Sequence, residues 1–142
     1  MTTRVYTGGT FDMFHPGHVN LLRRCREISG PDGHVTVSLN TDEFIEQYKG
    51  KRPVCNFTER RDVLLSCKYV DEVVANIGGV NSKISVELCM PDYIVIGSDW
   101  AERDYYKQMG FDQKWLNEHN IGLVYVPYTP GVSSTDIKKR MS

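Results

Sequence analysis

Val5-Tyr6-Thr7-Gly8-Gly9-Thr10-Phe11-Asp12-Met13-Phe14-His15-Pro16-Gly17-His18 is the stretch on which the reading of this chain turns. An apolar run that starts at Val5 ends in two glycines, and Pro16 then suits the first position of a helix, where a missing N–H costs nothing. A buried strand, a short loop and a helix follow one another. His15 falls at or next to the helix N-cap, with His18 one turn in. Residues three apart share a helix face, so both imidazoles are expected to point into the opening above the strand's carboxyl end. A helix start also offers free N–H groups and a partial positive charge. Donors of this kind, gathered in one place, suit a polyphosphate. Gly8 and Gly9 read as a tight turn that lets the backbone approach a nucleotide. Thr10, Phe11 and Gly17 read as further lining of the nucleotide pocket. Asp12 reads either as a carboxylate orienting a histidine or the substrate, or as a turn residue.

Outward from that stretch, strand and helix patterns alternate along the chain. Strands are expected at 3–7, 34–39, 72–75, 93–96 and 122–126, and helices at 16–28, 58–68, 82–89, 112–119 and 134–141. Thr58 is the expected N-cap of its helix, and the segment after Phe44 that carries Lys49 and Lys51 reads as polar loop. Short apolar strands alternating with helices predict an α/β fold, a single Rossmann-like open parallel five-stranded sheet with helices on both faces. Such sheets bind ligands outside the carboxyl ends of their strands. Gly9–His18, Asn40–Asp42, Gly97–Trp100 and Thr129–Thr135 all follow expected strands, which points to one shared site.

At 142 residues the chain reads as one domain, 1–142, with enough length for a substantial core. A net charge of −1 excludes a protein whose main task is to bind nucleic acid. Cys25, Cys55, Cys67 and Cys89 lack metal-binding spacing and read as free thiols. The start of the chain has no signal-peptide pattern, and no apolar run is long enough to span a bilayer, so a cytoplasmic protein without a membrane partner is expected.

Thr10-Phe11-Asp12-Met13-Phe14-His15-Pro16-Gly17-His18 resembles the signature of the nucleotidyltransferase superfamily that includes the cytidylyltransferases, most closely the glycerol-3-phosphate cytidylyltransferase family. Further matches come in the expected order: Lys49-Gly50-Lys51, Lys68-Tyr69-Val70-Asp71-Glu72-Val73, Gly97-Ser98-Asp99-Trp100 and Thr129-Pro130-Gly131-Val132-Ser133-Ser134-Thr135. The resemblance implies transfer of CMP from CTP to a small phosphorylated alcohol, with glycerol 3-phosphate the first choice and pyrophosphate as leaving group. His15, His18 and Lys51 are the implied catalytic residues, and Mg²⁺ the implied ion, carried by the nucleotide. Lys68, Asp71, Asp99, Trp100, Thr129, Gly131, Ser133, Ser134 and Thr135 are implied on the nucleotide, with Lys49 and Lys83 on the acceptor. Lys49 and Lys51 are expected to project to one side of an extended segment, while Asp71 has the alternative of capping or pairing across the next strand. Lys68 stands where the family commonly carries arginine, and Tyr128 replaces another family arginine. A homodimer is implied by resemblance alone. Adenylyl transfer, a CTP enzyme acting on another phosphorylated alcohol or sugar, and a non-catalytic nucleotide-binding module are the alternatives.

Overall fold

The computed structural model describes residues 2–76, 83–97, 111–127 and 134–141. Five strands, β1 (Arg4–Gly9), β2 (His34–Leu39), β3 (Glu72–Ala75), β4 (Tyr93–Gly97) and β5 (Gly122–Val126), form one sheet in the order β3-β2-β1-β4-β5. Every pairing is parallel. The helices are α1 (Pro16–Ser29), α2 (Asp42–Lys49), α3 (Phe57–Leu65), α4 (Lys83–Cys89), α5 (Gln113–Glu118) and α6 (Ser134–Arg140). None of the described helices is long and apolar enough to cross a membrane.

Strand alternation builds a core on each side of the sheet. Val5, Val35, Val37, Leu39 and Val95 pack on one face with Leu22 and Cys25 of α1 and Leu64 of α3. Tyr6, Ile94 and Ile96 pack on the other with Val86 of α4 and Leu116 of α5. The helices therefore cover both faces, as the alternating pattern predicts.

The strand order reverses direction between β1 and β4, and this is where a crevice is expected in such a sheet. β1 pairs with β2 over its whole length, Arg4↔His34 to Gly9↔Leu39. With β4 the ladder holds only Val5↔Tyr93 and Tyr6↔Ile94. Beyond that point the buried Thr7 hydroxyl takes over, donating to the Val95 carbonyl at 2.7 Å.

Several local expectations need correction. Gly8 and Gly9 do not turn; they are the last residues of β1, and the left-handed backbone comes later, at Phe11 (φ 50°) and Met13 (φ 49°). The segment after Phe44 is helix as far as Lys49 rather than loop, because Thr41 caps α2 by accepting from the Phe44 N–H and Gly50 ends it at φ 78°. Lys49 is thus the last residue of a helix, and the two lysines do not alternate along an extended segment. Asn56, rather than Thr58, caps α3, in a reciprocal box with Glu59.

Lys68 and Asp71 belong to the turn that leads into β3, at the amino ends of the strands. Asp71 accepts from the Val35 N–H at 2.8 Å and from Arg26 at 2.6 Å. Burial alone would raise its pKa, but these two partners outweigh it and hold the carboxyl below its usual value. These contacts match the capping-or-pairing alternative for Asp71, whose carboxylate pins α1 to the sheet, and both residues lie at the end of the strands opposite the His15–His18 helix start.

Replacing Thr7 by valine keeps the shape but orphans the Val95 carbonyl, so Thr7→Val should lower stability by about 1–3 kcal/mol. Urea unfolding monitored by circular dichroism measures this; an unchanged midpoint would show that the hydroxyl bridge carries no weight.

Candidate active site

The loop after β1 delivers His15 to the N-cap of α1 with an extended backbone, and Pro16 and Gly17 open the helix. His15 Nδ1 accepts from the Gly17 N–H at 3.0 Å, and His18 Nδ1 accepts from the His15 N–H at 3.3 Å. Each imidazole therefore satisfies a backbone donor that a helix start leaves open. The rings stack with centroids 3.8 Å apart at 24°. Phe11 and Phe14 flank His18, with ring centroids at 5.1 and 5.5 Å. Since Nδ1 accepts in both rings, a neutral imidazole in this arrangement carries its proton on Nε2. Two Nε2–H donors thus come from one helix start. His15 also borders a shallow cavity of about 350 Å³ together with Phe14, Pro16, Val19, Asn20 and Arg23.

Electrostatics agrees with neutral rings. Burial, then the neighbouring His15, push the His18 pKa down to about 3, against an opposing pull from Asp12. Burial also lowers His15. Because Nδ1 of each ring is held as an acceptor, a proton added there would break the cap, so the rings meet an anionic ligand as neutral Nε2–H donors.

The rest of the loop is fastened to its surroundings. Asp12 accepts from the Val54 N–H at 2.7 Å and from the Cys55 N–H at 2.9 Å. Both carboxylate oxygens thus serve as a clasp on the 54–55 backbone, and the turn-residue reading of Asp12 is nearer than the substrate-orienting one. Phe11 is buried in the core with Leu22, Val37 and Leu64, so the expectation that it lines a nucleotide pocket is corrected to a wall behind His18. The Thr10 hydroxyl accepts from Asn40 Nδ2 at 3.3 Å. Asn76 Nδ2 donates to Asn40 Oδ1 at 3.1 Å, and the Ser85 hydroxyl reaches Asn76 Oδ1 at 3.3 Å. This row of polar side chains ties together the carboxyl ends of β1, β2 and β3 and the start of α4. Sequence reasoning missed Asn76, although its place directly after β3 was a usable signal.

Lys49 and Lys51 flank the left-handed Gly50 on the exposed rim after α2. Lys83 is the first residue of α4 and is half-buried. Ser134 and Thr135 open α6, as the sequence led us to expect. Asp99, Trp100, Thr129, Gly131 and Ser133 lie outside the described residues, as does Tyr128. Arg60 is 2% exposed and donates to four protein oxygens.

Among the described residues no three His, Cys, Asp or Glu side chains gather as a metal site. Mg²⁺ prefers oxygen ligands, and the Asp12 oxygens are occupied by backbone N–H groups. Residues of this kind suit an ion that arrives on the oxygens of a nucleotide.

An open parallel α/β sheet with a histidine-capped helix at its switch point is the class of protein these features define. The cytidylyltransferase-like family profile matches residues 6–140, and the chain belongs to that family. It is 35% identical over 139 residues to the glycerol-3-phosphate cytidylyltransferase of Staphylococcus aureus, covering 97% of this chain and 94% of that one. It is also 32% identical to the FAD synthase of Korarchaeum cryptofilum, covering 99% of this chain and 92% of the relative. Among solved structures, the lipopolysaccharide core biosynthesis protein of Thermoplasma volcanium superposes with a TM-score of 0.68 at 23% identity, over 91% of this chain and 98% of that one. The resemblance read from the motifs is thereby met at the level of family and fold.

Because folded His18 resists protonation, the unfolded chain binds more protons below its ordinary pKa of 6.5. This contribution to stability is complete above pH 6.5 and is lost as pH falls toward about 3, by at most ~1.4 kcal/mol per pH unit. Urea midpoints at pH 7 and pH 5 should therefore differ more in the wild type than in His18→Gln. Equal differences in the two proteins would contradict a buried neutral His18.

Proposed function

We propose that this chain is a cytidylyltransferase that transfers CMP from CTP to a small phosphorylated alcohol, with glycerol 3-phosphate as the first choice. The observation that carries the reading is the stacked His15–His18 pair at the start of α1, with both Nδ1 atoms occupied and both Nε2–H groups left for a ligand. The full-length relative named glycerol-3-phosphate cytidylyltransferase supports the choice of nucleotide and acceptor.

In this reading an oxygen of the acceptor's phosphate attacks the α-phosphorus of CTP, the bond to the bridging oxygen breaks, and pyrophosphate leaves. The nucleophile is an anion near neutral pH, so the site needs alignment and charge stabilisation more than a strong base. His15 and His18 donate from Nε2 to triphosphate oxygens on which charge grows. The positive end of α1 adds to the same field. Lys51 supplies a cation to the triphosphate, and Lys49 and Lys83 meet the acceptor's phosphate. Gly8 and Thr10 border the nucleotide at the carboxyl end of β1, while Ser134 and Thr135 bring a second helix start to the phosphates. Asp99 and Trp100 serve the nucleoside, and Thr129, Gly131 and Ser133 the phosphate chain. Mg²⁺ comes with the nucleotide and offsets its charge.

The relative named FAD synthase favours a second reading, since FAD contains an adenine nucleotide. In that reading the same histidine pair acts on ATP.

Pyrophosphate release from each nucleoside triphosphate, across a panel of phosphorylated alcohols, separates these readings. CTP with glycerol 3-phosphate should give the highest rate; turnover with ATP alone would move the assignment to adenylyl transfer, and no turnover with any pair would leave a binding module. His15→Ala and His18→Ala should each lower kcat by about 10²–10³-fold, with a smaller effect on CTP affinity. Near-wild-type kcat in either folded variant would remove the histidines from the chemistry.

A further inference from the structure

Arg60 is among the largest fully buried side chains in the protein, and a buried guanidinium needs a reason. Taking such a charge out of water costs several kcal/mol, and an apolar side chain of similar volume would fill the space without that cost. The partners of Arg60 supply the reason. Nε donates to the Cys55 carbonyl at 3.0 Å, and Nη1 donates to the Thr10 and Asn40 carbonyls, both at 2.9 Å. Nη2 donates to Asp42 Oδ1 at 2.6 Å, and the guanidinium carbon lies 5.9 Å from the centre of the Phe57 ring. Thr10 follows β1, Asn40 follows β2, Asp42 opens α2 and Cys55 precedes α3. One planar group therefore joins the carboxyl ends of two central strands to the starts of two helices.

We infer that Arg60 is a positioning residue that sets the histidine loop against the lysine segment. The Thr10 carbonyl lies at the entrance to the Phe11-Asp12-Met13 turn, left-handed at Phe11 and Met13, that leads to His15 and His18. The 54–55 backbone is gripped from both sides, by Asp12 on its N–H groups and by Arg60 on the Cys55 carbonyl. Lys51 stands just upstream of that grip. Asp42 completes the frame, since its other oxygen accepts from the Phe57 N–H at 3.2 Å. The relative placement of the His15–His18 pair and of Lys51 is thus fixed by one fork of four donated bonds. Lysine would keep the charge without the fork, because a single ammonium cannot meet these carbonyls and the carboxylate in their fixed directions.

The inference rests on the transferase reading for its kinetic consequence, but not for its structural one. Arg60→Lys is the test, with two readouts. The His18 ring proton shifts in NMR report its geometry against the Phe11 and Phe14 rings and need no turnover. In the folded variant they should move, and kcat should fall by about 10²-fold, as misplacement near 1 Å allows. The KM for nucleotide should change by less than about threefold, since the groups that bind it remain present. Guanidinium ion added to Arg60→Ala should restore part of the rate. Should Arg60→Lys fail to fold, Asp42→Asn weakens the same frame from the opposite side and should move the His18 shifts and kcat in the same direction. A folded Arg60→Lys, or Asp42→Asn in its place, with wild-type kcat and unmoved His18 shifts would overturn the inference. So would a loss confined to KM. If the wild type turns over no nucleotide, the transferase reading fails while the His18 shifts still decide the role of Arg60.

Discussion

The reciprocal cap between His15 and His18 is the interaction on which the rest of the site depends. A helix start leaves N–H groups without partners, and here two imidazoles provide them through Nδ1. The same bonds leave Nε2–H as the free end of each ring and bring the rings into a stack at 3.8 Å. A serine or aspartate cap would satisfy the helix equally well, but would not carry a second ring nitrogen, Nε2–H, as a neutral donor. Local structure and chemistry are therefore set by one arrangement.

The remaining architecture keeps this cap in place. The incomplete ladder between β1 and β4 sits at the reversal of strand order, with Thr7 bridging to Val95 where the main-chain pairing ends. Asp12 and Arg60 fasten the loop from the side of α3, and Phe11 supports His18 from the core. At the amino ends of the strands, Arg26 and Asp71 anchor α1 without approaching the opening. Polar groups at one end of the sheet serve the site, and those at the other end serve the fold.

Much of this was legible in the chain because it is local. Bounds for β2, β3 and β5 follow from β-branched runs, and the entry to α1 follows from Pro16 behind a strand that ends in glycines. α2 was hidden because its eight residues carry few apolar side chains, so the cap at Thr41 and the stop at Gly50 were not recognised. The placement of Lys68 and Asp71 was hidden because motif order along a chain does not say at which end of a parallel sheet a residue emerges. Arg60 was illegible for a different reason: its burial depends on Thr10, Asn40, Asp42 and Cys55, which only the fold brings together. An arginine near a helix start reads as surface until those partners are known.

The most direct measurement of the central claim is long-range ¹H–¹⁵N NMR of the histidine side chains at pH 7, without and with CTP. The account predicts that His15 and His18 are both neutral with the proton on Nε2 in the free protein, and that both Nε2 signals move when CTP is added. An Nδ1–H tautomer or an imidazolium in the free protein at either position, or Nε2 signals indifferent to CTP and to every other nucleoside triphosphate, would contradict it.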